Sequence, residues 1–151
     1  MSRNADILIL CQYYEPDMAA VGVVLGEVAE DLVRSGFVVG CLTAQPTYAG
    51  RRPAPKEEFL RGVRVRRVRA PRATRNRLAG RLLSGLAYWV QACAHVVRGD
   101  ASTTLLISTS PPYLGLIGLT ANLLFGQRYL YVVHDIYPEL AVRAGFLRPY
   151  C

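Results

Sequence analysis

Two rhythms of apolar and polar positions alternate along this chain. Residues 6–11 form a short apolar run, and Val21, Val24, Leu25, Val28, Ala29 and Leu32 then recur at the spacing of a helix over 21–33 that stops near Gly36. Residues 37–43 read as a second strand whose unbroken apolar character suits a parallel sheet covered on both faces. Valine and arginine alternate over 63–68, the pattern of a strand with one wet face, so the sheet is expected to end there. Beyond it, 78–97 predicts a helix, 104–108 a strand, 113–125 an apolar helix and 128–133 a further strand. Pro138 can open a last helix over 139–144, with Gly145 as its stop.

Strands and helices in this order imply right-handed crossovers and an α/β, Rossmann-like, doubly wound parallel sheet, with strand order 3-2-1-4-5 as the simplest solution. Residues 44–61, with Pro46, Pro53 and Pro55, read as a long irregular connection of the kind that often carries function. Ligands of such sheets lie beyond the carboxyl ends of the strands, where strand order reverses. That rule selects Gln12 to Asp17 after the first strand, Thr109 to Pro112 after the fourth, and His134 with Asp135 after the fifth. All three carry polar or titratable groups directly after apolar strands, and they should converge.

The length of 151 residues, 52% hydrophobic and 19% charged, fits one globular domain and excludes disorder and coiled coil. A chain of this size can form a core without disulfides or metal. Cys11, Cys41, Cys93 and Cys151 are far apart with no C-x-x-C, which favours buried thiols over zinc, so no metal is expected. The run 7–11 is too short for a signal peptide, and 82–97 and 112–126 fall short of the roughly 20 residues that a bilayer span needs. A cytoplasmic chain is therefore expected.

Charge changes this picture. The net +7 is concentrated in 51–81, where eleven arginines and Lys56 face only Glu57 and Glu58, a net of +10 that leaves −3 for the rest. Such a segment attracts nucleic acid, anionic lipid or phosphorylated substrates, or it solvates one exposed face. The turn before the first helix reads Ala19, Ala20, Val21, Gly22, without the G-x-G-x-x-G of dinucleotide binding; there is no Gly-Lys-Ser/Thr for a phosphate loop and no G-x-S-x-G nucleophile elbow. Free amides at Ala20 and Gly22 could still hold an anion at the helix start. At the lip of the sheet, the His134 imidazole can hydrogen-bond a sugar hydroxyl or phosphate and the Asp135 carboxylate can take a hydroxyl proton; alternatively the pair caps loop amides. His95 reads as an ordinary helix residue.

Four segments in register, ILILCQYYEPDMAAVGVVLGEVAEDL at 7–32, LTAQPTYAG at 42–50, TSPPYLGL at 109–116 and VHDIYPELAVRAG at 133–145, resemble the N-terminal half of family 4 glycosyltransferases. The likeness is to bacterial exopolysaccharide and O-antigen enzymes of the colanic acid and fucosamine-transferase type. It implies the acceptor-side lobe of a GT-B fold, which by the family's pattern stops before the last strands of that lobe. It also implies retaining transfer of a sugar from a nucleotide-sugar donor to a lipid-linked or polysaccharide acceptor, without metal or other cofactor. The donor would be held mostly by a second lobe, either in the same protein or on a separate donor-domain chain, and 1–151 alone would be inactive. By the same resemblance Tyr13, Tyr14, Glu15, Asp17, Ala20, Gly22, Ser110, Pro111 and Glu139 would line the substrate cleft, His134 would contact the sugar, and Asp135 would orient the acceptor or the loop.

Arg64, Arg66, Arg72, Arg75, Arg77 and Arg81, with Leu82, Leu83, Leu86 and Trp89, are expected to form a cationic, apolar-edged surface near the cleft mouth. It suits the anionic inner face of the cytoplasmic membrane, with the protein held peripherally, and nucleic acid is not the expected partner. A non-catalytic module holding nucleic acid or anionic lipid is the reading of a different class.

Overall fold

A computed structural model describes residues 5–17, 19–46, 54–69 and 78–134. Among them, in chain order, are β1 (Ile7–Leu10), α1 (Ala20–Arg34), β2 (Val39–Ala44), β3 (Glu57–Leu60), β4 (Val63–Val68), α2 (Leu78–Val97), β5 (Thr104–Ser108), a 3-10 turn at Pro112–Leu114, α3 (Gly115–Phe125) and β6 (Tyr129–Val132). The sheet order is β3-β4-β2-β1-β5-β6, parallel throughout except for the antiparallel pair of β3 and β4. Strand order therefore reverses between β1 and β5, as the alternation of elements predicts. The expected last helix over 139–144 lies outside the described residues.

One expectation is corrected at the edge. The connection 44–61 is not wholly irregular, because Glu57–Leu60 forms a strand that covers the outer side of β4. The link is a two-residue hairpin in which Arg61 (φ 50°) and Gly62 (φ 83°) are both left-handed, which fits the twist of an antiparallel pair. Arg61 tolerates this backbone while its guanidinium pairs with Glu15 at 3.1 Å and with Glu30.

The inner strands of the sheet are buried on both faces, and this explains the unbroken apolar reading of β2, all six residues of which are buried. On one face, Ile9, Cys11, Val39, Cys41, Val63 and Val65 pack under Leu25 and Ala29 of α1. On the other, Leu10, Leu42, Leu105 and Ile107 pack under Tyr88, Ala92 and Val96 of α2 and under Ile117 and Ala121 of α3.

Within α1 the buried stripe is Gly22, Leu25, Gly26 and Ala29, whereas Val24 and Val28, expected inside, are exposed. Small residues turn that stripe inward because they let the helix approach closely: a Cβ on Gly22 would lie 2.8 Å from the Tyr13 carbonyl oxygen. α3 depends on the same device, since a Cβ on Gly118 would meet the Tyr129 ring at 2.6 Å and Ile107 at 2.7 Å.

Candidate functional site

Two of the three loops selected at the carboxyl ends of the strands are described in full apart from their links, and the third is described as far as His134. They do meet. The Gln12 N–H donates to the Ser110 carbonyl at 3.2 Å, joining the β1 and β5 loops, and the His134 N–H donates to Thr109 Oγ1 at 3.3 Å, joining β5 to β6. Gln12 also accepts at its carbonyl from the Ala44 N–H (3.2 Å) and from Thr43 Oγ1 (3.1 Å), which ties the lip to β2. The amino end of α2 closes the side, with Gln12 Nε2 at 3.5 Å from Ser84 Oγ and Gly85 packed against the Tyr113 hydroxyl.

Each predicted residue has a distinct place. Tyr13 is half-buried, and its carbonyl packs on Gly22 and accepts from the Cys11 thiol at 2.8 Å. Burial pushes the Tyr14 hydroxyl well above the usual phenol range, so it stays protonated. Asp17 is buried, and its N–H donates to the Tyr14 carbonyl at 3.0 Å. Ala20 is exposed at the start of α1, which has no side-chain cap. Ser110 is half-buried with its N–H donating to Ser108 Oγ at 3.3 Å, and Pro111 is buried. His134 Nε2 is shielded from solvent and has no partner among the described residues. That is a buried polar atom of the kind that usually has a partner. Asp135 and Glu139 lie outside the described residues.

Several expectations change on this geometry. Glu15 does not simply line a cleft: its carboxylate pairs with Arg61 and its carbonyl accepts from Arg67 Nη2 at 2.6 Å. Gly22 is taken up by contact with Tyr13 rather than open to a ligand. Trp89 does not belong to an exposed apolar edge, because it packs against the core and its indole N–H donates to the Tyr113 carbonyl at 3.2 Å. Arg64 and Arg66 are not at the mouth of this site. They line a groove of about 300 Å³ at the opposite, amino-terminal end of the strands. Arg72, Arg75 and Arg77, and the side chain of Arg81, fall outside the described residues.

Three participants were not among the residues expected to line the cleft, although two of them, Gln12 and Thr109, stand in the selected loops. Gln12 and Thr109 carry the hydrogen bonds that join the loops. Their signal was position alone, a polar residue directly after an apolar strand. Arg67 is fully buried, breaks the valine–arginine alternation of β4, and binds the Pro55 carbonyl (3.0 Å), the Glu15 carbonyl and the Glu58 carboxylate. It thereby fastens the β1 loop to the start of the β3–β4 hairpin. The signal was the second of two successive arginines in a strand, which places one of them inward.

Among the described residues no three His, Cys, Asp or Glu side chains gather as metal ligands, and no helix is long and apolar enough to cross a membrane. Chemically the lip offers a buried imidazole nitrogen, neutral phenols and hydroxyls, which is a set for hydrogen-bonding a polar, hydroxyl-rich molecule. A scan against protein-family models and a search of curated proteins give no match to this chain.

Proposed function

We propose that this chain is the acceptor-holding portion of a retaining glycosyltransferase of GT-B type, moving a sugar from a nucleotide-sugar to a lipid-linked or polysaccharide acceptor. The observation that carries the reading is the convergence of the β1, β5 and β6 loops at the switch point, around a His134 Nε2 that is buried and unpartnered among the described residues. In this reading Nε2 hydrogen-bonds a sugar hydroxyl, while Tyr13 and the neighbouring Tyr113 supply phenol contacts. The Tyr113 hydroxyl is pushed up by burial and then by Tyr13, so it acts as a neutral donor. The donor nucleotide would be held by a second lobe, and 1–151 by itself would not turn over, because transfer needs both substrates fixed at reacting distance.

An anionic membrane surface is the proposed partner, reached through the outer faces of α2 and α3. Leu83, Leu86, Val90, Leu116, Leu119, Leu123 and Leu124 are exposed there, and Asp100 is the only acidic residue between Glu58 and Asp135. The amino ends of both helices adjoin the lip, through Ser84 and through the turn at Pro112–Leu114, so a lipid-linked acceptor would arrive beside the site.

The test is calorimetric titration of 1–151 with farnesyl diphosphate-linked N-acetylglucosamine. Saturable binding is expected, with His134→Ala and Tyr13→Ala each weakening it about tenfold, the loss of one good hydrogen bond to a polar ligand. Absence of binding, or equal affinity of both variants and the parent chain, contradicts the proposal. Sugar transfer by 1–151 alone would contradict the two-lobe part of it.

A further inference from the structure

Under α1, the inward rows of three neighbouring strands change character together at the carboxyl end. Ile7 and Ile9 of β1 lead to Cys11, Val39 and Cys41 of β2 lead to Thr43, and Val63 and Val65 of β4 lead to Arg67. Register sets Thr43 directly beside Arg67. All three terminal residues are buried, and each donates to a different carbonyl of the β1 loop. Thr43 Oγ1 reaches Gln12 at 3.1 Å, the Cys11 thiol reaches Tyr13 at 2.8 Å and Arg67 Nη2 reaches Glu15 at 2.6 Å. The Asp17 N–H donates to the Tyr14 carbonyl at 3.0 Å, so the carbonyls of four successive residues, 12 to 15, all accept a hydrogen bond.

Arg67 is the unexpected member of this row. A valine would continue Val63 and Val65, whereas a cation at that place gives up its hydration. Its ion pair is with Glu58, whose side chain is a quarter exposed, and its Nε is buried with no hydrogen-bond partner among the described residues. The remaining bonds fix backbone. Nη1 donates to the Pro55 carbonyl at 3.0 Å, and the Arg67 N–H donates to the Lys56 carbonyl at 2.7 Å. Next to them the Gln45 side chain holds Ala54 at both its N–H (3.2 Å) and its carbonyl (3.1 Å). Three successive carbonyls, 54 to 56, are thereby fixed where the chain returns to the sheet, and the same guanidinium reaches across to Glu15.

We infer that Arg67 is a positioning residue of the lip: through the Glu15 carbonyl it holds Tyr13 and Tyr14 in the geometry that a ligand meets, while touching no ligand itself. The inference rests on the reading of the lip as a binding site, and not on which ligand it takes. A buried ion pair is weak as a source of stability, and replacing one by apolar groups is often neutral, so its retention here is explained by place. The planar fork of arginine serves two carbonyls and a carboxylate at fixed angles, which the single ammonium of lysine does not reproduce.

The experiment compares amide NMR spectra of the chain with those of Arg67→Met, Arg67→Lys and Arg61→Gln, and titrates each with farnesyl diphosphate-linked N-acetylglucosamine. Methionine supplies the apolar bulk that a core role needs, and lysine supplies the charge that an electrostatic role needs. Both variants are expected to keep dispersed spectra and unmoved β5 resonances, yet to shift and broaden the amides of Tyr13, Tyr14 and Asp17 and to bind about tenfold more weakly. Arg61→Gln removes only the exposed pairing to Glu15 and Glu30 and should match the parent chain in both measures. Loop resonances like the parent's in either Arg67 variant, or an equal change in Arg61→Gln, overturn the inference. Loss of the fold in both Arg67 variants does so too, because Arg67 would then be structural. If the parent chain does not bind, the glycosyltransferase reading fails, and the loop resonances alone decide whether Arg67 positions the lip.

Discussion

The helical layers on the two faces of the sheet are finished differently. α1 shows water a charged flank, with Arg34 paired to Glu30 at 3.1 Å and to Asp31 at 2.8 Å, although Val24 and Val28 are exposed beside them. α2 and α3 show almost none: the only Lys, Arg, Asp or Glu in either helix is Arg81, and four leucines of α3 are at least 40% exposed, Leu123 at 73%. Inside, both layers are built alike, from apolar side chains and close-packed glycines. The difference lies entirely on the outside. A helix apolar all round needs a neighbour other than water, whereas one charged flank is enough to leave α1 in solvent. The site at the carboxyl ends of the strands adjoins the apolar layer, which is why that layer bears on function.

The largest expected effect sharpens the likeness of the interiors. Gly118→Val forces a side chain into the Tyr129 ring and Ile107, and should cost about 3 kcal/mol in denaturant unfolding. Gly22→Ala should cost less, about 1–2 kcal/mol, and should shift the Tyr13 and Tyr14 amide resonances, since its Cβ presses on the Tyr13 carbonyl. A loss in either case below about 0.5 kcal/mol would mean that the helices do not seat as described.

Alkaline pH tests the α1 layer next. Burial pushes the Cys11 thiol up to about 11, against a small lowering by its hydrogen bonds to Ser108 and the Tyr13 carbonyl. The folded state therefore keeps a proton that the unfolded state gives up. Its contribution is complete below the unfolded thiol's value near 9 and is lost as pH rises to about 11, a decline on the order of 3 kcal/mol. Cys41 and Tyr88, buried and raised in the same direction, steepen the decline. Unfolding free energies measured from pH 7 to 11 should fall over that window, and Cys11→Val should flatten part of the fall.

Most of the architecture was legible because period and length carry it. The continuous runs gave the inner strands and their order, and the 78–97 helix has the predicted ends. β3 was not legible: EEFL has no apolar alternation, and it is a strand only because the Arg61–Gly62 turn folds it back onto β4. The stripe of α1 was misplaced for a related reason, since hydrophobicity ranks valine above glycine while close approach ranks them the other way. For the site, the rule of carboxyl ends found the right loops. Which side chains would be spent on structure, as Glu15 is on Arg61, depends on contacts between residues far apart in sequence.

Smaller effects are expected from the outer surfaces. Arg34→Ala on α1 should change stability by no more than about 0.5 kcal/mol, because exposed ion pairs contribute little. Leu86→Lys and Leu123→Lys, both at exposed positions, should be similarly neutral in denaturant unfolding while making the chain more soluble. A loss of several kcal/mol from either leucine change would instead place it in a core.

The most direct test of the contrast between layers is cosedimentation of the chain with vesicles of phosphatidylcholine, with and without phosphatidylglycerol. The account predicts binding that requires the anionic lipid, weakens as salt rises, falls sharply in the Leu86→Gln, Leu123→Gln double variant, and is unchanged in Val24→Gln, Val28→Gln on α1. Equal binding to neutral vesicles, no binding to anionic ones at low salt by folded chain, or equal loss from the α1 variant would contradict it.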